Sequence, residues 1–263
     1  MTKPMTKPVN ILRYFVFLSS LFFAPCSMLM ADEIRVFAAG AAKHAVESIT
    51  PLFLKASGHT LHTSYDTVGA LRDRVLQVPA GQVADVVILS DAALATLRTA
   101  GRLSPTPAQS IGRVVVAVAV RKAALAPDLS DAQALRKTLL AAPSLAYGDP
   151  ARGATAGTHF AKVIDAMGLR EELREKITVL PFGVDVITGV AEGRHTLGIS
   201  QSSEIMQHTG VRFAGALPAP HDLSTGYGAA LSSPSEAARQ LLIFLGTEPA
   251  LREFASSGFI AMP

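Results

Sequence analysis

Four places where a strand-like apolar run gives way to a helix-like pattern are built from small residues. They are Ala38-Ala39-Gly40-Ala41-Ala42, Asp66-Thr67-Val68-Gly69-Ala70, Gly153-Ala154-Thr155-Ala156-Gly157 and Gly183-Val184-Asp185-Val186. Small side chains let a ligand reach backbone N–H groups, and the dipole of a helix N-terminus favours negative charge there. Several such ends converging would cradle an anion without a lysine. Polar groups stand at the same places: Lys43 and His44, then Tyr65 and Asp66, then Arg152, Thr155 and His159. A guanidinium clamps a carboxylate bidentately, so Arg152 suits a carboxylate-bearing ligand. His159, His44 and Asp66 are the candidate bases, with His159 foremost because it follows the glycine-rich junction closely. Each residue also has a plainer reading. Lys43 and Arg152 can be solvated charges, the two histidines can cap or pack, and Asp66 can cap the helix after it.

The elements that must position these groups alternate between strand and helix. Strands are expected at Ile34–Ala38, Thr60–Tyr65, Asp85–Leu89, Val114–Val120, Ser144–Tyr147, Ile177–Leu180, Thr196–Ser200 and Gly228–Leu231. Helices are expected at Ala42–Ser57, Gly69–Leu76, Ala92–Ala100, Ser130–Leu140, Thr155–Met167, Val186–Glu192, Pro234–Leu245 and Pro249–Ser257. This βα alternation predicts an α/β fold of parallel sheets covered by helices. The order of elements suggests two lobes, residues 32–118 plus 219–263 and residues 119–218, with the chain crossing twice between them. Strand C-termini and helix N-termini would then face each other across a cleft.

The N-terminus reads as an address. Lys3, Lys7 and Arg13 head an apolar run from Tyr14 to Pro25, and small residues precede Asp32-Glu33. That layout predicts a signal peptide over residues 1–31, a periplasmic destination and no membrane insertion after its removal. An uncleaved anchor is one alternative; a lipoprotein site at Cys26 is another, which Pro25 opposes. Lys3, Lys7 and Arg13 are the three basic residues of this segment, and it has no acidic one. Of the 24 basic and 21 acidic residues of the chain, 21 of each therefore remain. The sequence pI of about 9.1 reflects the address and gives no footing for a nucleic-acid partner. Cys26 is the one cysteine, so the mature chain has neither thiol catalysis nor cysteine metal sites, and about 230 residues can bury a core without disulfides.

The segments VFAAGAAKHAV (36–46), ADVVILSD (84–91), AYGDPARGATAG (146–157) and LGIS (197–200) resemble the periplasmic molybdate-binding proteins of ABC transporters. The resemblance runs in colinear order over nearly all of residues 32–263. It implies the two-lobed type II periplasmic-binding fold, with each lobe a mostly parallel sheet covered by helices. It also implies an anion held by two serines, a tyrosine and backbone amides. The serine positions fall on Ala41 and on or beside Val68, flanked by Thr67 and Gly69, and the tyrosine position falls on Gln201. The amide positions fall on Ala156 and Val186. The amide half of the site is thus kept while all three side-chain donors are changed, each lost donor costing about 1–3 kcal/mol.

Those departures resemble a branch of the same fold, the aconitate isomerases, which interconvert cis- and trans-aconitate. The implied activity is a cofactor-free 1,3-proton shift on a tricarboxylate, with amides and Arg152 stabilising the dienolate. Two other readings stay open. One is the solute-binding component of an ABC importer for molybdate, tungstate or another anion, with a permease as partner. The other is a sensor whose ligand-closed form engages a membrane receptor kinase.

Overall fold

The computed structural model describes residues 1–2, 31–79, 82 and 84–261. The expected signal segment lies almost wholly outside the described residues.

The chain runs β1 (Glu33–Ala39), α1 (Lys43–Ser57), β2 (Thr60–Asp66), α2 (Val68–Leu76), β3 (Val86–Ser90) and α3 (Asp91–Thr99). A long strand, β4 (Gln109–Arg121), leads to α4 (Ala132–Ala141), β5 (Leu145–Gly148), α5 (Thr155–Ala166) and α6 (Arg170–Leu173). Then come β6 (Ile177–Leu180), α7 (Gly183–Ala191), β7 (Leu197–Gln201), α8 (Ser202–Met206) and β8 (Val211–Ala216). The chain returns through β9 (Ser224–Leu231), α9 (Glu236–Leu245) and α10 (Glu248–Ser256).

Local chemistry accounts for the boundaries. Helix α1 turns Ala45, Val46, Ile49 and Phe53 inward and stops at Gly58, whose φ of 77° suits a residue without Cβ and whose N–H closes on Leu54 O at 2.8 Å. Helix α4 starts where the Asp131 carboxylate accepts the Ala134 N–H at 2.8 Å. Most expected elements lie within a few residues of their observed bounds. The extra ones, α6, α8 and β8, are four, five and six residues long, too short for a periodic signal to show.

The strands order β2-β1-β3-β9-β4-β7-β5-β6, with β8 also on β4. In one lobe β1 pairs parallel with β2 and β3; in the other β5 pairs parallel with β6 and β7. These parallel trios are what βαβ crossovers produce. Strand β4 joins them by pairing antiparallel with β9 up to Val115 and with β7 from Val116 onward. The core divides at the same point: one buried cluster draws on Ile34–Val114 and Tyr227–Phe259, the others on Val116–Leu217. The result is the two-lobed type II periplasmic-binding architecture.

The lobes also meet at the lips of the cleft. Gly69 N–H donates to Gly153 O at 3.2 Å, Thr67 Oγ1 donates to Arg152 O, and Arg152 Nη2 pairs with Asp66 Oδ1 at 3.1 Å. A Cβ on Gly69 would lie 2.6 Å from Gly153 Cα, and one on Gly153 would lie 2.5 Å from Gly69 Cα. Two backbones can touch here because both residues are glycine. Gly69→Ala should therefore cost the closed form about 1–3 kcal/mol through overpacking. Small-angle scattering should show a larger radius of gyration for that variant, and a profile identical to wild type would mean that the lips do not meet in solution.

Candidate functional site

The cleft encloses a cavity of about 180 Å³. One lobe contributes the turn Ala39–Ala41 with Lys43, and Tyr65–Val68. The other contributes Gly148, Ala154–Gly157 and Phe182–Val184, while Ile199–Gln201, Glu204 and Tyr227 form its base. All four small-residue junctions thus reach the cavity. Helix α2 is capped by Thr67, which accepts the Ala70 N–H at 3.2 Å. Helices α5 and α7 follow Ala154 and Phe182 and have no side-chain cap. The first N–H groups of a helix lack intrahelical acceptors, so these two ends offer donors and positive dipole to an external anion.

Of the residues singled out by sequence, Ala41, Lys43, Asp66, Thr67, Val68, Thr155, Ala156 and Gln201 line the cavity. Gly69 and Arg152 stand outside it, in a groove at the lips. The Arg152 side chain spans Asp66 and the ring of Phe182, with Cζ 4.8 Å from the ring centroid, so it closes the cleft from outside. Val186 is buried, its N–H bonded to Phe182 O at 3.3 Å. Helix α7 begins three residues earlier than the sequence reading had it, and the free amides belong to the turn beginning at Gly183. The two histidines are corrections. His44 is exposed on α1 and absent from the cavity wall. His159 lies one helical turn beyond Thr155, and its Nε2 donates to the His221 carbonyl at 2.8 Å. Both rings are thereby removed from the reacting space. Asp66 stays on the wall, but as an ion-paired carboxylate that also accepts the Thr67 N–H at 2.8 Å.

Glu204 was not among the sequence candidates. It sits in the first turn of α8, and its carboxyl reaches back between the lobes. A Cβ on Gly40 would lie 3.2 Å from Oε1, and one on Gly183 would lie 2.1 Å from Oε2. The carboxyl therefore occupies the space that a side chain at the start of α7 would need. Ser200 Oγ donates to Oε2, as does the Gln201 N–H at 3.4 Å. Burial pushes the Glu204 carboxyl above the ordinary carboxylate range, opposed by the bonds from Ser200 and Gln201 N–H, with a smaller upward push from the charge of Asp185. Beside it, Tyr227 is 1% exposed, and burial followed by the charge of Glu204 holds its phenol neutral well above the usual range, against a bond to Thr155. The readable signal was Gln201-x-x-Glu204 after a strand, an N-terminal helix signature. Nothing local says that the acid faces a cleft.

Gln201 ends β7 and is 4% exposed; its side chain faces the Glu204 N–H in a capping-box arrangement, yet neither Nε2 nor Oε1 makes a hydrogen bond of normal geometry among the described residues. An amide enclosed without partners costs about 1–3 kcal/mol, a cost that a ligand able to accept and donate would remove. The cavity can thus seat a small anion on backbone amides, hold it with Gln201 and Lys43, and set the Glu204 carboxyl against it.

Comparison with known proteins places the chain in context. The family model described as bacterial extracellular solute-binding protein matches residues 34–260. A curated Pseudomonas protein named aconitate isomerase is 29% identical over 258 residues, covering 94% of this chain and 95% of the relative. Among solved structures, the periplasmic molybdate-binding protein of Azotobacter vinelandii superposes with a TM-score of 0.70 at 19% identity. That match covers 88% of this chain and 100% of the other. A periplasmic thiamin-binding protein gives 0.69 at 17% identity, over 88% and 84%. At these identities the two structures show the fold alone.

Two measurements check the site. Gln201→Leu should stabilise the unliganded protein by about 1–3 kcal/mol in a denaturant melt, since it removes the unpaired amide, while weakening ligand binding by calorimetry. Glu204 binds its proton more tightly in the folded state, so its contribution to stability is full at acid pH. That contribution is lost as pH rises from the ordinary carboxylate range through its raised value. Glu204→Gln should flatten this alkaline-going loss in melts recorded across pH.

Proposed function

The chain belongs to the bacterial extracellular solute-binding proteins, and on that premise we propose that its cleft takes a small polycarboxylate and interconverts cis- and trans-aconitate, in the periplasm. The observation that carries this reading is the donor set of the cavity. It combines amides from two uncapped helix ends and the unpaired Gln201 amide with an enclosed carboxyl at the base. The positions where the resemblance puts hydroxyls fall on Ala41, which is apolar, and on or beside Val68, where the flanking Thr67 hydroxyl is spent on Arg152 O. The Pseudomonas relative, similar over nearly the whole chain, supports the same reading.

The reaction needs no group beyond the chain. A proton leaves the CH2 next to the alkene, the electron pair moves into conjugation with the alkene and its carboxylate, and a proton returns at the far carbon. The double bond has then moved by one position. The amides of α5 and α7 take the carboxylates and stabilise the charge that develops on them. Gln201 Nε2 donates to a further carboxylate oxygen, and Lys43 offsets part of the trianion's charge. Lip closure by Arg152, Gly69 and Gly153 keeps water out. This strengthens each of those bonds.

The family match favours a second reading: the solute-binding component of an ABC importer, delivering an anion to a permease. The two separate cleanly. Purified protein incubated with trans-aconitate should yield the cis isomer by chromatography. Tricarboxylates at a hundred times their Kd should raise stability by about 2.7 kcal/mol. Stabilisation by molybdate, with no tricarboxylate effect and no product, would establish capture instead of turnover.

A further inference from the structure

We infer that Glu204 is the group that carries the proton between the two carbons of the shift, poised by Ser200 and the Gln201 backbone, an inference that rests on the tricarboxylate reading. The cavity wall presents five titratable side chains: Lys43, Tyr65, Asp66, Glu204 and Tyr227. Lys43 lies at the exposed rim, its Nζ 3.9 Å from Glu47. Asp66 is held at the lips by Arg152 and by the Thr67 N–H. The Tyr65 phenol is pushed up to about 12, first by burial and then by Glu47, and Tyr227 higher still, so neither serves as a base near neutrality. Glu204 is the one carboxyl of the five that makes no ion pair among the described residues.

Its two oxygens are inequivalent. Oε2 receives both the Ser200 hydroxyl and the Gln201 N–H. Oε1 has no bond among the described residues and stands towards the Gly40 turn, at the cavity. One oxygen is held and the other can move a proton. The carboxyl also lies beside the first residue of α7, Gly183, where substrate carboxylates would be drawn. A carbon one or two bonds from a seated carboxylate then comes within reach of Oε1.

The step balances without a co-reactant. Ionised Glu204 takes a proton from the CH2 as that C–H bond breaks, and the electron pair enters the conjugated carboxylate. The same oxygen gives the proton to the far alkene carbon, forming the new C–H bond and regenerating the carboxylate. A raised proton affinity makes such a carboxylate a better base. The charged and titratable groups facing it are Asp185 on α7, Tyr227 on β9, and Lys43 and Asp66 across the cavity.

The test is isomerisation of trans-aconitate by wild type, Glu204→Gln and Glu204→Asp in H2O and D2O, with binding followed by calorimetry. Glu204→Gln should lose about 10²–10⁴-fold in turnover while binding within tenfold of wild type. Glu204→Asp keeps the acid one methylene short and should retain intermediate turnover with a displaced acidic limb in its pH profile. Wild type should carry part of the abstracted hydrogen into product in D2O, as a single shuttling group requires. If Glu204→Gln turns over within tenfold of an active wild type, the assignment of Glu204 is wrong and the function stands. If wild type converts no tricarboxylate, the function fails and this inference with it.

Discussion

Backbone N–H groups enclosed without an acceptor are costly, and the ends of α5 and α7 bring such groups to one cavity with no side chain to cap them. The rest of the cleft follows from that debt. Small residues must stand in the first turns of these helices, Ala156 and Gly157 in α5 and Gly183 in α7, or the ligand could not come close enough to serve as acceptor. Gly157 illustrates the crowding: a Cβ there would fall 1.6 Å from Gly148 O, so α5 can lean its first turn on the end of β5 only because that residue is glycine. The amides are then aimed by packing and need little rearrangement when an anion arrives.

An amide cradle attracts any small anion. Its selectivity comes from what else faces it. Here the two additions at the base, Gln201 and Glu204, pull in a common direction. An unpaired amide wants a partner that can both accept and donate, and a carboxyl of raised proton affinity stands beside a carboxylate at less cost than an ordinary one would. The chain bears stability costs at both positions, as sites built to meet a ligand commonly do. Tyr227 joins the two lobes in the same place, its body packed in the first lobe's core and its hydroxyl bonded to Thr155 in the other.

The base of the cleft is also its mechanical centre. Helix α8, which carries Glu204, starts at Ser202. The Ser202 Oγ receives the Val115 N–H at 3.2 Å and donates to Gly258 O at 3.2 Å. Val115 is the last β4 residue paired with β9 before β4 turns to β7. The acid is thus tied to the point where the shared strand changes lobes, and to the C-terminal tail. That tail docks on β4 at Arg113, whose N–H meets Ile260 O at 2.9 Å, beside Gly112, where a Cβ would lie 2.9 Å from that same oxygen.

The alternation of elements, the α/β class and the four small-residue junctions were legible in the sequence, because helix and strand periods and helix ends are local properties. So were seven of the cavity-lining residues, which stand in or next to those junctions, while Gln201 came only from the resemblance. Their partners were not legible. His159 and His44 carried the right chemistry at the right spacing, yet α5 turns one towards the His221 carbonyl and α1 turns the other to solvent. Arg152 proved to be a clasp because Asp66 and Phe182 meet it from positions far away in the chain. Glu204 looked like an ordinary first-turn acid on a five-residue helix. Only the closing of two lobes around a shared strand makes it the carboxyl at the base of an anion cavity, since burial and the charges that set its proton affinity come from residues brought together in space.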